Sequence, residues 1–126
     1  MNPIEEQLQA YNTRDLKRFL SAYSPDVVIE DGEDNMLMKG HDQMRERYQA
    51  LFDASPELHC RIVNRLKIGK YTVDEEEVTG WQGSPTPVRA IVIYRVDAEK
   101  ILHVRMLVQA CIPDQRIELL LFQLEF

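Results

Sequence analysis

At 126 residues, with 44% hydrophobic and 29% charged, the chain has the size and balance of one globular domain that buries a core without disulfides or metals. A formal charge of −6 disfavours nucleic acid as a partner, because phosphate backbones draw on clustered Lys and Arg. The opening Met1-Asn2-Pro3-Ile4-Glu5-Glu6 lacks the basic segment and apolar run of a secretory signal, and no stretch is long enough to span a bilayer, so no membrane partner and a cytoplasmic location are expected.

Ile4, Leu8 and Tyr11 recur at helical spacing and predict a short helix beginning near Pro3. Asp15 follows as an N-cap, and Leu16, Phe19, Leu20 and Tyr23 predict a second helix that ends at Ser24-Pro25. The β-branched run Val27-Val28-Ile29 predicts a strand. Asp31-Gly32 and Asp34-Asn35 then supply turn chemistry before Met36-Leu37-Met38, which completes a small hairpin. Past Gly40, the stripe Met44, Tyr48, Leu51 and Phe52 predicts the longest helix, closed by Ser55-Pro56.

From Leu58 the apolar period becomes two, and Gly69-Lys70 reads as a tight turn between two long strands. A two-residue turn places Asn64 opposite Glu75 and Arg65 opposite Asp74; a three-residue turn shifts these pairs. With the two-residue turn, Cys60, Ile62, Asn64, Leu66 and Ile68 share the inner, mostly apolar face with Tyr71, Val73, Glu75, Glu77, Thr79 and Trp81, while Asp74 and Glu76 point outward. Gly80 to Pro87 reads as a loop. Val88–Val96 and Ile101–Val108 form another hairpin, with Ile91 and Ile93 inward beside Val104 and Met106, and Tyr94, His103 and Arg105 outward on a surface suited to a dimer. The tail from Arg116 to Phe126 is too apolar to be left in water and should cover the chain's own sheet or exchange across a dimer.

Cys60 and Cys111 each stand alone among apolar neighbours and are expected to be reduced core residues. His41, His59 and His103 show no metal-ligand spacing, the acidic run Glu30, Asp31, Glu33, Asp34 lacks the ligand alternation of a calcium loop, and no phosphate loop or nucleophile motif is present. Neither a metal nor a cofactor is expected. Two polar positions stand out. Alternation sends Asp31 to the same face as Val27 and Ile29, so it is a candidate base or simply the first residue of its turn; Glu75, with Asn64 across from it, is a candidate acid or base, a ligand contact, or one half of a structural pair.

Two short helices, a strand ending in Val28-Ile29-Glu30-Asp31, Lys39-Gly40, a helix carrying Met44-Arg45-Glu46-Arg47-Tyr48, and long meandering strands resemble, over about residues 4–108, the nuclear transport factor 2-like superfamily. That superfamily includes ketosteroid isomerases and SnoaL-type polyketide cyclases. The resemblance implies an α+β cone in which three N-terminal helices pack in a curved antiparallel sheet around an apolar pocket, with the outer sheet face forming a homodimer. It also implies a base at Asp31. The oxyanion-hole tyrosine and acid of the steroid isomerases have Gln7 and Ile91 at their places, which departs from authentic steroid isomerisation.

The expected pocket is lined by Tyr11, Phe19, Tyr48, Phe52, Asn64, Glu75, Trp81, Ile91 and Met106. Three functions follow: an isomerase-, cyclase- or dehydratase-type enzyme moving a proton on a small apolar carbonyl compound, with Asp31 as base and Glu75 or a tyrosine assisting; a binding module for a small hydrophobic molecule; or a dimerising domain whose pocket its own side chains fill.

Overall fold

The computed structural model describes residues 2–110 as three α-helices and a six-stranded sheet. Helix α1, Pro3–Thr13, starts where the sequence places it, because Asn2 Oδ1 accepts the Glu5 N–H at 2.9 Å and Pro3 needs no donor in the first turn. Arg14, at φ 54°, turns the chain left-handed after α1, and Asp15 caps α2, Leu16–Ser21, by accepting from the Arg18 N–H. The second helix is shorter than its apolar stripe suggests, since Tyr23 already belongs to strand β1, Tyr23–Asp31. Strand β2 is Met36–Lys39, and α3, Gly40–Ala54, buries Met44, Tyr48, Leu51 and Phe52, the predicted stripe.

Strands β3 (His59–Ile68), β4 (Tyr71–Thr79), β5 (Val88–Asp97) and β6 (Lys100–Ala110) form an antiparallel meander. The sheet order is β2-β1-β6-β5-β4-β3, and β1 runs parallel to β6. The sheet is therefore mixed rather than wholly antiparallel, with an α+β class unchanged. The helices lie against its inner face, where Phe19, Ile29, Met44, Leu51, Leu58, Ile101, Val27 and Val104 are the largest fully buried apolar side chains. Phe52 belongs to an aromatic cluster at this centre, with its ring 5.7 Å from Tyr11 and 5.9 Å from Phe19.

The β3–β4 hairpin keeps the expected pairs, Asn64 with Glu75 and Arg65 with Asp74, about the Gly69-Lys70 turn. Its faces are the reverse of those expected on β4. A bulge between Ile62 and Asn64 changes the register, so Cys60 pairs with Val78, and Thr72, Asp74, Glu76 and Val78 turn inward. Asn64, Glu75, Leu66, Ile68 and Tyr71 consequently belong to the outer face. The β5 reading is corrected in the same sense: Val92 and Tyr94 are buried, whereas Ile91 is 40% exposed. Pairing of Asp74 with Val92 and Glu76 with Ala90 carries the β4 phase across to β5.

Gly80 joins β4 to a single 3₁₀ turn, Trp81–Gly83. It adopts φ 74°, and a Cβ placed there would stand 2.2 Å from the Glu57 carbonyl oxygen. Gly80→Ala is expected to destabilise the domain by well over about 1 kcal/mol, measured by urea unfolding, because neither the backbone angle nor the adjacent peptide can accommodate the methyl group.

Among the described residues, no helix is long and apolar enough to cross a membrane. Cys60 is buried and unbridged. Cys111 and the apolar tail from Arg116 onward lie outside the described residues.

Candidate functional site

Between α1, α3 and the inner sheet face lies a cavity that offers about 80 Å³ to the centre of a water molecule. That is several times the space one water requires. Its wall is largely aromatic and aliphatic: Tyr11, Phe19, Tyr23, Tyr48, Trp81 and Tyr94, with Leu8, Met38, Leu51, Val78, Val92 and Met106. Gln7, Arg47, Cys60 and Glu76 supply the remaining polarity.

Local structure sets each of these groups in place. The side-chain amide of Asn12 clasps the backbone of Cys60, donating to its carbonyl at 3.0 Å and accepting from its N–H at 2.7 Å, which ties α1 to the first residues of β3. Gln7 donates to the Ile4 carbonyl and accepts from the Tyr23 hydroxyl at 3.3 Å, so its amide is engaged by protein groups. Phe19 and Tyr48 pack with ring centroids 4.7 Å apart and form the floor beneath the tyrosines.

The chemically distinctive group is Glu76. Only 8% exposed, Glu76 turns its carboxyl to the Tyr94 hydroxyl, from which it accepts at 3.2 Å, and shares the cavity wall with Cys60. Burial, reinforced by the negative charge of Asp74, pushes it up to about 7, against the smaller opposing effects of Tyr94, Cys60 and Arg65. A carboxyl poised there can both take and give a proton near neutrality. The surrounding phenols behave differently: burial holds Tyr11, Tyr23 and Tyr94 well above the ordinary tyrosine range, so they act as hydrogen-bond donors rather than phenolates. Burial likewise pushes the Cys60 thiol up, with the charge of Glu76 adding to it, which favours the neutral thiol over the thiolate.

Two residues away, Asp74 is fully buried and is held by a bidentate contact from Arg65, Nε to Oδ1 at 2.7 Å and Nη2 to Oδ2 at 2.9 Å. Arg65 also pairs with Glu5 of α1. This ion group ties α1 to β3 and β4. In the same wall as Glu76, Trp81 has its indole Nε1 buried without a hydrogen-bond partner among the described residues. An unpaired buried donor costs about 1–3 kcal/mol.

Of the residues expected at the site, the structure brings Tyr11, Phe19, Tyr48, Trp81 and Met106 to the cavity wall. Phe52 stands behind that wall among the aromatic rings. Asn64, Glu75 and Ile91 lie on the opposite face; Glu75 is paired there with Arg89 at 2.5 Å, and the Asn64 side chain accepts from the Arg65 N–H. Asp31 has the inward parity its alternation implies, opposite Met106, but its carboxylate bends back into the turn. Oδ1 accepts from the Glu33 and Asn35 backbone N–H groups and Oδ2 from the Asn35 side chain. These bonds, the Asn35 side chain foremost, lower its pKa below the usual aspartate value. Asp31 thus caps its turn and does not line the cavity.

Glu76 was hidden in the sequence by its place in an acidic run and by the bulge one strand away. The available signal was Val78, an apolar residue between Glu77 and Thr79 whose burial commits the even-numbered positions of β4 to the interior. Among the described residues, no group of three or more His, Cys, Asp or Glu is arranged to hold a metal.

The fold recurs in known structures. The chain is similar to an uncharacterised cystatin-fold protein from Novosphingobium aromaticivorans, with a TM-score of 0.74, 23% identity and coverage of 82% of this chain and 93% of that one. It is similar also to a protein with a ketosteroid isomerase-like fold from Catenulispora acidiphila, solved with trimethylamine, at a TM-score of 0.69, 18% identity and 82% coverage of each chain. A candidate polyketide cyclase from Sinorhizobium meliloti matches with a TM-score of 0.69 and 18% identity over 82% of this chain and 92% of its own. No curated protein matches the sequence. The family described as SnoaL-like domain matches residues 4–104, most of the chain and every element from α1 into β6. The chain belongs to this SnoaL-like family of the nuclear transport factor 2-like superfamily.

Proposed function

We propose that the domain binds a small, largely apolar carbonyl compound in its cavity and moves a proton on it, with Glu76 as the acid–base group. The observation that carries this reading is a single carboxyl, buried in an aromatic cavity and raised to about 7 by burial. In the ionised form Glu76 takes a proton from the carbon beside the carbonyl. The C–H electron pair shifts to give an enolate, and the protonated carboxyl then returns the proton to carbon. Asp31 has no part in this scheme.

Hydrogen–deuterium exchange at C2 of 1-tetralone in heavy water, followed by NMR, tests it without knowledge of the natural substrate. The parent protein is expected to accelerate exchange, with a rate that rises as pH passes through about 7 because the carboxylate is the base. Glu76→Gln should reduce the acceleration by about 10²–10⁴-fold, whereas Asp31→Asn should leave it unchanged. Exchange no faster than in buffer, or equal in the Glu76 variant, defeats the proposal. Binding without turnover is the second reading. It is favoured by Gln7, which occupies the place of the steroid isomerases' oxyanion tyrosine and whose amide is bonded to Ile4 and Tyr23.

The partner proposed for the outer sheet face is a second copy of the chain. Leu66, Ile68, Tyr71, Ile91 and Leu107 are 64, 76, 47, 40 and 43% exposed there, on neighbouring strands of one face. An apolar surface of this kind suits an interface better than water. Ile68→Glu combined with Leu66→Glu is expected to convert a dimer to a monomer in sedimentation equilibrium; a parent that sediments as a monomer refutes the assignment.

A further inference from the structure

Trp81, in the cavity wall, carries a strong donor that the described residues leave unanswered. Trp81 is 7% exposed and lines the cavity, and its Nε1 is buried with no acceptor among the described residues. An indole N–H can only donate, so what it lacks is an oxygen or nitrogen lone pair. The backbone gives the ring little freedom to seek one elsewhere. Gly80 is fixed against Glu57, the Gln82 N–H donates to Ser55 Oγ at 2.9 Å, and the Ser84 N–H donates to the Trp81 carbonyl at 2.8 Å. No hydrogen bond joins the indole to the polar groups of the same wall: the Glu76 carboxyl accepts from Tyr94 and the Gln7 oxygen from Tyr23.

We propose that the Trp81 indole N–H anchors a carbonyl oxygen of the bound molecule, so that the cavity selects small apolar ketones over hydrocarbons of the same shape. The assignment rests on the reading of this cavity as a ligand site. It adds the group that orients the ligand. A carbonyl held at Trp81 also has a donor ready for the charge that gathers on its oxygen when a neighbouring carbon loses a proton to Glu76. Selectivity arises because a hydrocarbon leaves the indole N–H unsatisfied in the complex, whereas a ketone does not.

Trp81 is the only tryptophan in the chain, so its indole N–H gives one side-chain signal in a ¹H–¹⁵N spectrum. The test compares 1-tetralone with 1-methylenetetralin, in which a CH₂ group replaces the carbonyl oxygen, on the full chain. The ketone is expected to bind about fivefold more tightly and to move the indole proton downfield, while the hydrocarbon does neither. Trp81→Phe keeps an aromatic ring at the position and removes the donor, and in it the two compounds should bind alike.

Equal binding by the parent, an indole signal that stays in place when the ketone binds, or a preference that survives in Trp81→Phe each overturns the assignment. Those results leave the cavity and Glu76 standing, because tetralone exchange and its loss in Glu76→Gln are measured separately. If neither compound binds, the assignment falls together with the reading of the cavity on which it rests.

Discussion

Glu76→Gln is expected to stabilise the domain by about 3 kcal/mol at pH 8 and to change its stability little at pH 4.5. In the unfolded chain the carboxyl returns to its ordinary value of 4.5, whereas in the folded protein it is raised to about 7. Between those limits the folded state retains a proton that the unfolded state has released. Raising the pH through this window therefore lowers stability, and above about 7 the loss is complete. Glutamine imitates the protonated acid and does not titrate, so the difference between variant and parent opens across the same interval. Paired urea-unfolding curves at several pH values measure it. A parent and variant that track each other from pH 4.5 to pH 8 would show that Glu76 is not buried as described. The prediction also joins stability to function, since the variant that gains stability is the one expected to lose proton exchange.

Removing Arg65 has the opposite sign. Arg65→Met leaves the fully buried Asp74 without its bidentate partner, and the expected cost is about 3–5 kcal/mol. The double variant, Arg65→Met with Asp74→Leu, removes both charges and should recover most of that loss, because what destabilises the single variant is an uncompensated charge rather than a missing attraction. Chemical denaturation of the two variants checks this pair of outcomes, and a double variant no more stable than the single one contradicts it. Arg65→Met should also raise the proton affinity of Glu76 further, since the guanidinium's positive charge now works against protonation. Carboxyl NMR titration reads that shift independently of stability.

Much of the architecture was legible because local chemistry and apolar period agree. The Asp15 cap, the α3 stripe, the Gly69-Lys70 turn and the pairing of Arg65 with Asp74 all follow from neighbouring residues. The functional face was not legible, and the reason is physical. Asp74 and Glu76 are buried while Ile68, Tyr71 and Ile91 are exposed, so the alternation that normally sorts core from solvent runs backwards across this part of the sheet. One bulged residue on β3 then decides the phase of the hairpin. Asp31 shows the complementary limit. Its strand parity was read correctly, but parity places a Cβ, and the oxygens beyond it went to the backbone N–H groups of the turn.

The parallel pairing of β1 with β6 bears on how the domain assembles. Tyr23 pairs with Ile101 and Asp31 with Met106, so the seam joins the first and last described strands across most of the chain. During synthesis the helices and the β1–β2 hairpin emerge early, with an unpaired strand edge and an apolar face, and must wait for β6 before that edge is covered. Such long-range closure slows folding and lengthens exposure of the nascent chain. Growth temperature and chaperone supply should therefore govern soluble yield more strongly than the stability of the finished domain, and a chain cut short before β6 should accumulate as aggregate.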